Sequence, residues 1–201
     1  MARATTLSDL LVPGGSIQVG DLVFDNFSYL QTGDMPAATG ITVSPFTALN
    51  GDNGLQFQGA FTDLPGNQGS DALLTYRVTD VTLGNTIIGA NLTGVPTVLG
   101  GSGTVSATES FLPGNVNDTM SIFANSPGGS QLTTNLSFAG ATSLNVQDSV
   151  LAFAVDGSPS LSFFTPTFHT TSAPIPEPAS ITLVGMAVAT LAWRRVRRRK
   201  S

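Results

Sequence analysis

The sequence predicts an all-β protein, namely an antiparallel β-sandwich or jelly-roll-like domain followed by one C-terminal transmembrane helix. Three observations support this prediction. Short runs of alternating apolar and polar residues recur along the chain, and segments rich in Gly, Asn and Pro separate them. Helical periodicity is nearly absent before Pro174. The chain then ends in an uncharged, mostly apolar run and a cluster of basic residues.

The clearest alternating run is DALLTYRVTD, at residues 71–80. One parity carries Ala72, Leu74, Tyr76 and Val78, and the other carries Asp71, Thr75, Arg77 and Thr79. A second run, LQFQGAFT, places Leu55, Phe57 and Phe61 on one parity. Because successive side chains of a β-strand point to opposite faces, each run predicts a strand with one buried face and one exposed face.

Turn-forming segments separate these runs and favour a compact all-β architecture. They read PGG, NGDNG, PGNQGS, LGGSG, PGNVND, SPGGS and DGSPS. Their Gly, Asn and Pro residues supply the backbone angles that tight turns require. Eight to ten short strands with such spacing are typical of a sandwich or a jelly roll. A β-solenoid is the alternative, but the sequence has no fixed repeat period, which favours the sandwich.

The first residues resemble the end of a secretory signal peptide. Ala2, Arg3 and Ala4 form the small-residue pattern found at a signal-peptide cleavage site. The charged start and apolar middle of such a peptide do not precede them. We therefore hypothesise that the native start codon lies upstream and that the signal peptide ends near Ala4. A coincidental Ala-x-Ala triplet is the alternative.

These patterns divide the chain into five parts. Residues 1–13 form an N-terminal segment that is a possible signal-peptide remnant, and residues 14–170 form the β-sandwich ectodomain. A linker rich in Pro and Thr covers residues 171–178, and proline keeps such a segment extended. Residues 179–193 form the predicted transmembrane helix, and residues 194–201 form a basic cytoplasmic tail.

Charge is distributed very unevenly along the chain. Residues 1–176 contain two basic residues, Arg3 and Arg77, and twelve acidic residues, which gives this part a formal charge of −10. Such an acidic surface cannot neutralise a run of phosphates, so we expect no binding to nucleic acid. The chain has no cysteine, which excludes disulfides and thiolate metal sites.

The predicted transmembrane helix runs from Ala179 to Trp193 without a formal charge. At 1.5 Å per residue it is about 22 Å long, which is shorter than the roughly 30 Å hydrocarbon core of a bilayer. Local thinning of the bilayer and snorkelling side chains can accommodate this difference. Trp193 stands where an interfacial aromatic residue is expected.

The basic residues that follow the helix predict its orientation. They are Arg194, Arg195, Arg197, Arg198, Arg199 and Lys200. Positive charge beside a transmembrane helix is retained on the cytoplasmic side, next to anionic headgroups. We therefore expect a single-pass membrane protein with a cytoplasmic C-terminus and an external β-domain. A core helix of the globular domain is the alternative, but a buried helix does not end in such a basic cluster.

The order of these features resembles the PEP-CTERM sorting signal of exported bacterial proteins. Pro176, Glu177 and Pro178 come first, the short apolar helix follows, and the basic cluster ends the chain. The resemblance implies that an exosortase, a membrane-embedded enzyme similar to cysteine transpeptidases, cleaves near the motif. It also implies a bacterium that makes exopolysaccharide, and release or attachment of the product at the cell surface. The body is similar to uncharacterised PEP-CTERM proteins at residues 14–29, which implies no activity.

The body offers few groups for catalysis. His169 is the only histidine, it lies next to the predicted linker, and no Gly-x-Ser-x-Gly elbow accompanies it. We interpret it as a surface histidine. Glu109 is the only glutamate before the tail, so the sequence identifies no pair of catalytic carboxyl groups. We predict no catalytic residue, no cofactor and no metal site.

Two loops nevertheless resemble calcium-binding loops, because they place oxygen-bearing side chains close together. One contains Asn50, Asp52 and Asn53, and the other contains Asn115, Asn117 and Asp118. Neither loop completes an EF-hand pattern, and tight turns explain both more simply.

Two functions remain open for the body. The first is a non-enzymatic protein of the cell surface or extracellular matrix, with exosortase, membrane lipid and exopolysaccharide as the expected partners. The alternative is a lectin-like or carbohydrate-active β-domain. The body has no Trp, and its only tyrosines are Tyr29 and Tyr76, which counts against tight stacking on sugars.

Overall fold

The computed structural model describes residues 3–66, 69–112, 116 and 118–171, and this part of the chain is almost entirely β. The strands are β1 (Thr5–Thr6), β2 (Ser16–Val19), β3 (Leu22–Thr32), β4 (Thr42–Thr47), β5 (Asn53–Thr62), β6 (Ser70–Asp80), β7 (Thr86–Leu99), β8 (Gly103–Leu112), β9 (Thr119–Ser126), β10 (Ser130–Gln131), β11 (Thr133–Ala141), β12 (Ser143–Ala154) and β13 (Ser158–Thr171). One short helix, α1 (Leu7–Leu10), and a 3-10 turn at Ala38–Gly40 complete the elements.

The strands form two antiparallel sheets. A six-stranded sheet has the order β1-β4-β5-β13-β7-β11, and a seven-stranded sheet has the order β10-β9-β8-β12-β6-β3-β2. The predicted all-β, sandwich-like fold is therefore confirmed. The predicted helix at residues 179–193 lies outside the described residues. Within those residues, no helix has the length and apolar character that crossing a membrane requires.

Alternation along the strands explains how the two sheets meet. On β6, Ala72, Leu74, Tyr76 and Val78 are buried, whereas Arg77 between them points outward. Arg77 reaches Asp25 on β3 through two hydrogen bonds, Nε to Oδ1 at 2.9 Å and an Nη to Oδ2 at 2.7 Å. The period of two predicted from the sequence thus separates a packed inner face from a wet outer face.

The core between the sheets is rich in aromatic side chains. Phe57 is fully buried, and its ring lies 5.1 Å from that of Phe164 and 5.9 Å from that of Tyr76. Phe24 and Phe27 contact Tyr76 from the seven-stranded sheet. Because these aromatic residues come from both sheets and contact one another, they join the two sheets in one core.

The folded domain begins earlier and ends later than the sequence suggested. Thr5 and Thr6 pair with β4, and Leu7 and Leu10 are buried in the core, so the ordered fold starts at Thr5 rather than at Gly14. At the other end, β13 continues through Thr171. Apolar packing explains the N-terminal boundary, since Leu7 and Leu10 belong to the core cluster. Cleavage near Ala4 stays a prediction, and it would leave strand β1 intact.

Strand β7 was not among the predicted strands, although it lies beside β13 in the six-stranded sheet. Gly94 and Pro96 obscure its pattern, because neither residue is typical of a strand interior. At Gly94 a Cβ would lie 2.5 Å from Ile122 Cδ1 and 2.8 Å from Phe163 O, so a side chain does not fit. Pro96 lies next to a register shift between β13 and β7, where the regular ladder is interrupted.

Candidate functional site

The outer face of the six-stranded sheet is polar and partly shielded. On its central strand β13, Phe164 and Phe168 face the core, so Thr165 and Thr167 between them face outward. These two threonines are nevertheless only 1% and 3% exposed. Side chains of the neighbouring strands therefore cover these two threonines.

A cleft of about 530 Å³ lies at one end of this face. Its floor is formed by Gly89–Asn91 of β7, and His169 of β13 lies beside them in register with Gly89. One wall is the turn between β4 and β5, which a hydrogen bond from Ala48 N to Asp52 O closes at 2.8 Å. The other wall is β11, whose pairing with β7 becomes irregular after Ser137.

An ordered trio of side chains lies at the turn side of the cleft. His169 Nδ1 lies 2.7 Å from Asp52 Oδ1, and Asn50 Nδ2 donates to Asp52 Oδ2 at 2.8 Å. The Asp52 backbone N–H donates in return to Asn50 Oδ1 at 3.2 Å. Asp52 is 8% exposed. A nearly buried carboxyl group held from two sides presents a fixed acceptor to the cleft.

His169 lies at the surface, as interpreted from the sequence, and its side chain also has a fixed partner. Its side chain is 57% exposed, but Asp52 fixes the orientation of the ring. Within the described residues, its Nε2 atom has no hydrogen-bond partner, and Asp52 and His169 are separated by 117 positions in the chain. Only the pairing of β13 with β5 brings the two together, so no local signal could have revealed the contact.

Polar and apolar groups share the remaining lining of the cleft. Asn91 and Asn135 are direct neighbours across β7 and β11, and Asn91 Oδ1 accepts a hydrogen bond from Thr133 Oγ1 at 3.3 Å. Asn135 is exposed and makes no side-chain hydrogen bond to another described residue. Phe138 adds an aromatic surface, and the ring of Phe111 supports it at a centroid distance of 5.5 Å.

The loops that resemble calcium sites have a different arrangement of donors. The Asn50 amide and the His169 ring both point at the Asp52 carboxyl group, and Asn53 Oδ1 accepts a hydrogen bond from Thr47 Oγ1 at 2.9 Å. Each Asp52 oxygen and Asn53 Oδ1 thus already accepts one hydrogen bond from a protein donor. No group of three or more His, Cys, Asp or Glu side chains with metal-binding geometry occurs in the described part of the chain. Asn115 and Asn117 lie outside it.

A buried acidic pair lies between the sheets, and the sequence analysis did not identify it. Glu109 on β8 and Asp148 on β12 are direct cross-strand neighbours and are 0% and 1% exposed. None of their carboxyl oxygens has a hydrogen-bond partner among the described residues. The Tyr76 hydroxyl lies near Asp148 but outside hydrogen-bond geometry. Strand parity carries the missing signal, because Asp148 alternates in phase with Val146 and Val150.

Burial favours the neutral forms of this pair. It raises the pKa of Asp148 to about 8, and the nearby Tyr76 hydroxyl acts weakly in the opposite direction. Burial also raises the pKa of Glu109 well above its usual range, and the charge of Asp148 adds to that shift. The same two causes raise the pKa of the Tyr76 hydroxyl. The pair does not line the cleft, so it bears on stability rather than on binding.

The residues of the predicted sorting signal lie outside the described part of the chain. These are Pro176, Glu177, Pro178, Ala179, Trp193, Arg194, Arg195, Arg197, Arg198, Arg199 and Lys200. A family model of the PEP-CTERM protein-sorting motif matches residues 174–199, which include all of them except Lys200. None of the curated proteins shows significant sequence similarity to the chain.

Two solved structures have a distantly similar arrangement of strands. One is TmCBM61 in complex with beta-1,4-galactotriose, with 12% identity over 70% of this chain and 88% of the other, and a TM-score of 0.31. The other is the enzymatically active domain of tailspike protein 4 from bacteriophage CBA120, with 17% identity over 69% of this chain and 19% of the other, and a TM-score of 0.30. Similarities this distant carry no function to this chain.

Proposed function

We propose that this chain, whose residues 174–199 match the PEP-CTERM protein-sorting motif, is exported, processed by an exosortase and displayed at the cell surface or in the extracellular matrix. The match at residues 174–199 is the observation that carries the proposal. Before processing, the protein is a single-pass membrane protein with its C-terminus in the cytoplasm. Afterwards the β-domain stands at the surface or is released.

The chemistry of the tail suits this processing route. The helix predicted from the sequence at residues 179–193 would hold the substrate in the bilayer and raise its effective concentration at a membrane-embedded enzyme. Pro176 and Pro178 disfavour helix at the motif, which keeps the backbone accessible. Glu177 offers one negative charge to a basic recognition pocket. The basic cluster contacts anionic headgroups on the cytoplasmic side.

Substitution of the motif in the native host tests this proposal. With Pro176→Ala, Glu177→Ala and Pro178→Ala combined, we expect the chain to remain unprocessed in the membrane fraction, at a lower electrophoretic mobility than the mature wild type. Deletion of residues 179–201 should instead abolish retention at the membrane. Ser172→Ala, just outside the matched residues, is the control and should be processed normally. Wild-type mobility and surface retention in both test variants would contradict exosortase sorting.

A carbohydrate-binding role of the β-domain is the second candidate function, and the cleft beside His169 is the observation that favours it. Its size lies in the roughly 300–1,000 Å³ range of small-molecule sites, and it combines amide and carboxyl groups with an aromatic surface. Such a role is compatible with surface display, since the matrix of an exopolysaccharide-producing cell offers sugars at high concentration. A purified chain that binds no polysaccharide would exclude it.

A further inference from the structure

We propose that the cleft beside His169 binds one neutral sugar unit of a polysaccharide, with Asp52 and Asn135 as the polar contacts and Phe138 as the apolar one. This inference rests on the second candidate function and assigns it to a place and a ligand class.

The charge of the cleft selects an uncharged ligand. Among the described residues that line it, Asp52 and His169 are the only ionisable ones, and they pair with each other at 2.7 Å. Arg3 and Arg77 do not line the cleft, and Arg77 pairs with Asp25 on the other sheet. A phosphate or a uronate would therefore approach the Asp52 carboxyl group without a fixed cation to neutralise it. A neutral sugar avoids this repulsion.

The polar lining matches the hydroxyl groups of a sugar. Each hydroxyl group both donates and accepts hydrogen bonds, and an Asn amide offers both functions in return. Asn135 is exposed and has no side-chain partner among the described residues, so its amide is available. The Asp52 carboxyl group is held by Asn50 and His169 before any ligand arrives. Pre-orientation of this kind lowers the entropy cost of binding.

The apolar side of the cleft matches the C–H face of a sugar ring. Phe138 is among the residues that line the cleft, and its partly buried ring packs against the core and against Phe111 at a centroid distance of 5.5 Å. Leu136 and Ile88 extend this surface. A ring that stacks there can direct its hydroxyl groups towards Asp52 and Asn135. One aromatic contact with no Trp predicts modest affinity for each sugar unit, and repeated units of a polymer compensate through avidity.

Affinity electrophoresis of the full chain tests the proposal. The protein is solubilised in a zwitterionic detergent without a sugar headgroup and run through native gels that contain dextran, galactan or mannan as neutral probes. Parallel gels contain alginate or polygalacturonate as anionic probes. We expect retardation by at least one neutral polysaccharide, unchanged by EDTA, and none by the anionic ones.

Three variants localise the binding. Asp52→Asn and Asn135→Ala should each weaken retardation at least 10-fold. Asn145→Ala, which removes an exposed amide from the outer face of the other sheet, is the matched control and should bind like the wild type. Circular dichroism shows whether each variant folds. Asn135→Ala removes no side-chain hydrogen bond to another described residue, so it still tests the proposal if Asp52→Asn fails to fold.

These outcomes distinguish a wrong assignment of the binding site from the absence of carbohydrate binding. Wild-type retardation that persists in both Asp52→Asn and Asn135→Ala would leave carbohydrate binding in place and overturn the assignment to this cleft. No retardation by any neutral polysaccharide, or retardation by the anionic ones alone, would overturn the proposal itself. Neither result would bear on sorting, which is measured in the native host.

Discussion

Replacing the buried acidic pair by neutral amides will stabilise the protein at alkaline pH. At pH 9 we expect Asp148→Asn to raise the free energy of unfolding by up to about 5 kcal/mol relative to the wild type. The combination with Glu109→Gln should raise it further. Near pH 4 the wild type and the variants should differ little. The reason is that both carboxyl groups are fully buried and unpartnered, so their ionised forms are strongly disfavoured in the folded chain.

The direction of this pH dependence follows from the number of protons that the folded and the unfolded chain bind. In the unfolded chain these carboxyl groups lose their protons near pH 4, as ordinary carboxyl groups do. In the folded chain burial raises the pKa of Asp148 to about 8, so the native state retains a proton over the interval between these values. The state that binds more protons is favoured at low pH. The contribution of the protonated pair to the free energy of unfolding is therefore complete in acid and is lost as the pH rises towards 8.

Urea unfolding followed by circular dichroism at pH 4.5, 7 and 9 measures this effect. Asp21→Asn is the matched control, because it neutralises an exposed aspartate on the turn between β2 and β3. It should follow the wild type at all three pH values. The pair would have no influence on pH stability if Asp148→Asn and the double variant kept the wild-type dependence between pH 4.5 and 9.

Truncating the aromatic centre of the core will have an effect of similar size and no pH dependence. We expect Phe57→Ala to lower the free energy of unfolding by about 3–5 kcal/mol. Phe57 is 0% exposed and lies between the rings of Phe164 and Tyr76. Its removal leaves a cavity between the sheets that these large neighbours cannot fill without strain. Phe57→Leu retains most of the volume and should lose much less.

Phe153→Ala is the control for this variant. Phe153 lies on the outer face of the seven-stranded sheet and is 42% exposed, so its removal takes little area out of the core. Chemical denaturation should therefore place its midpoint close to that of the wild type. Equal losses in Phe57→Ala and Phe153→Ala would mean that the two sheets do not meet at Phe57.

The fold was predictable where side-chain alternation is regular. The inward residues of β6 and of β5 follow from a period of two, since one face of each strand meets the core. Residues 16–30 belong to two strands, β2 and β3, because Gly20 adopts φ +57° in a tight turn that pairs Val19 with Leu22. The buried positions change from Ile17 and Val19 to Leu22 and Phe24 at this turn, so a change of parity marks the hairpin.

The candidate site was less predictable, because long-range register creates it. Asp52 was identified as part of a tight turn that resembles a calcium-binding loop, and His169 only as a surface residue. Their contact depends on how β5 and β13 align. The lining of the cleft comes from the turn between β4 and β5, from β7, from β11 and from β13, which are distant from one another in the chain. In contrast, Glu109 and Asp148 occupy core positions of alternating runs, so a stricter reading of parity would have found them.

The central claim is that the C-terminal residues sort this chain out of the cytoplasm, and its most direct test is the intact mass of the chain recovered from each fraction of the native host. We predict that the mature chain lies outside the cytoplasm and lacks the residues that follow the motif at 176–178. A full-length chain dissolved in the cytosol, with residues 179–201 still attached, would contradict the claim.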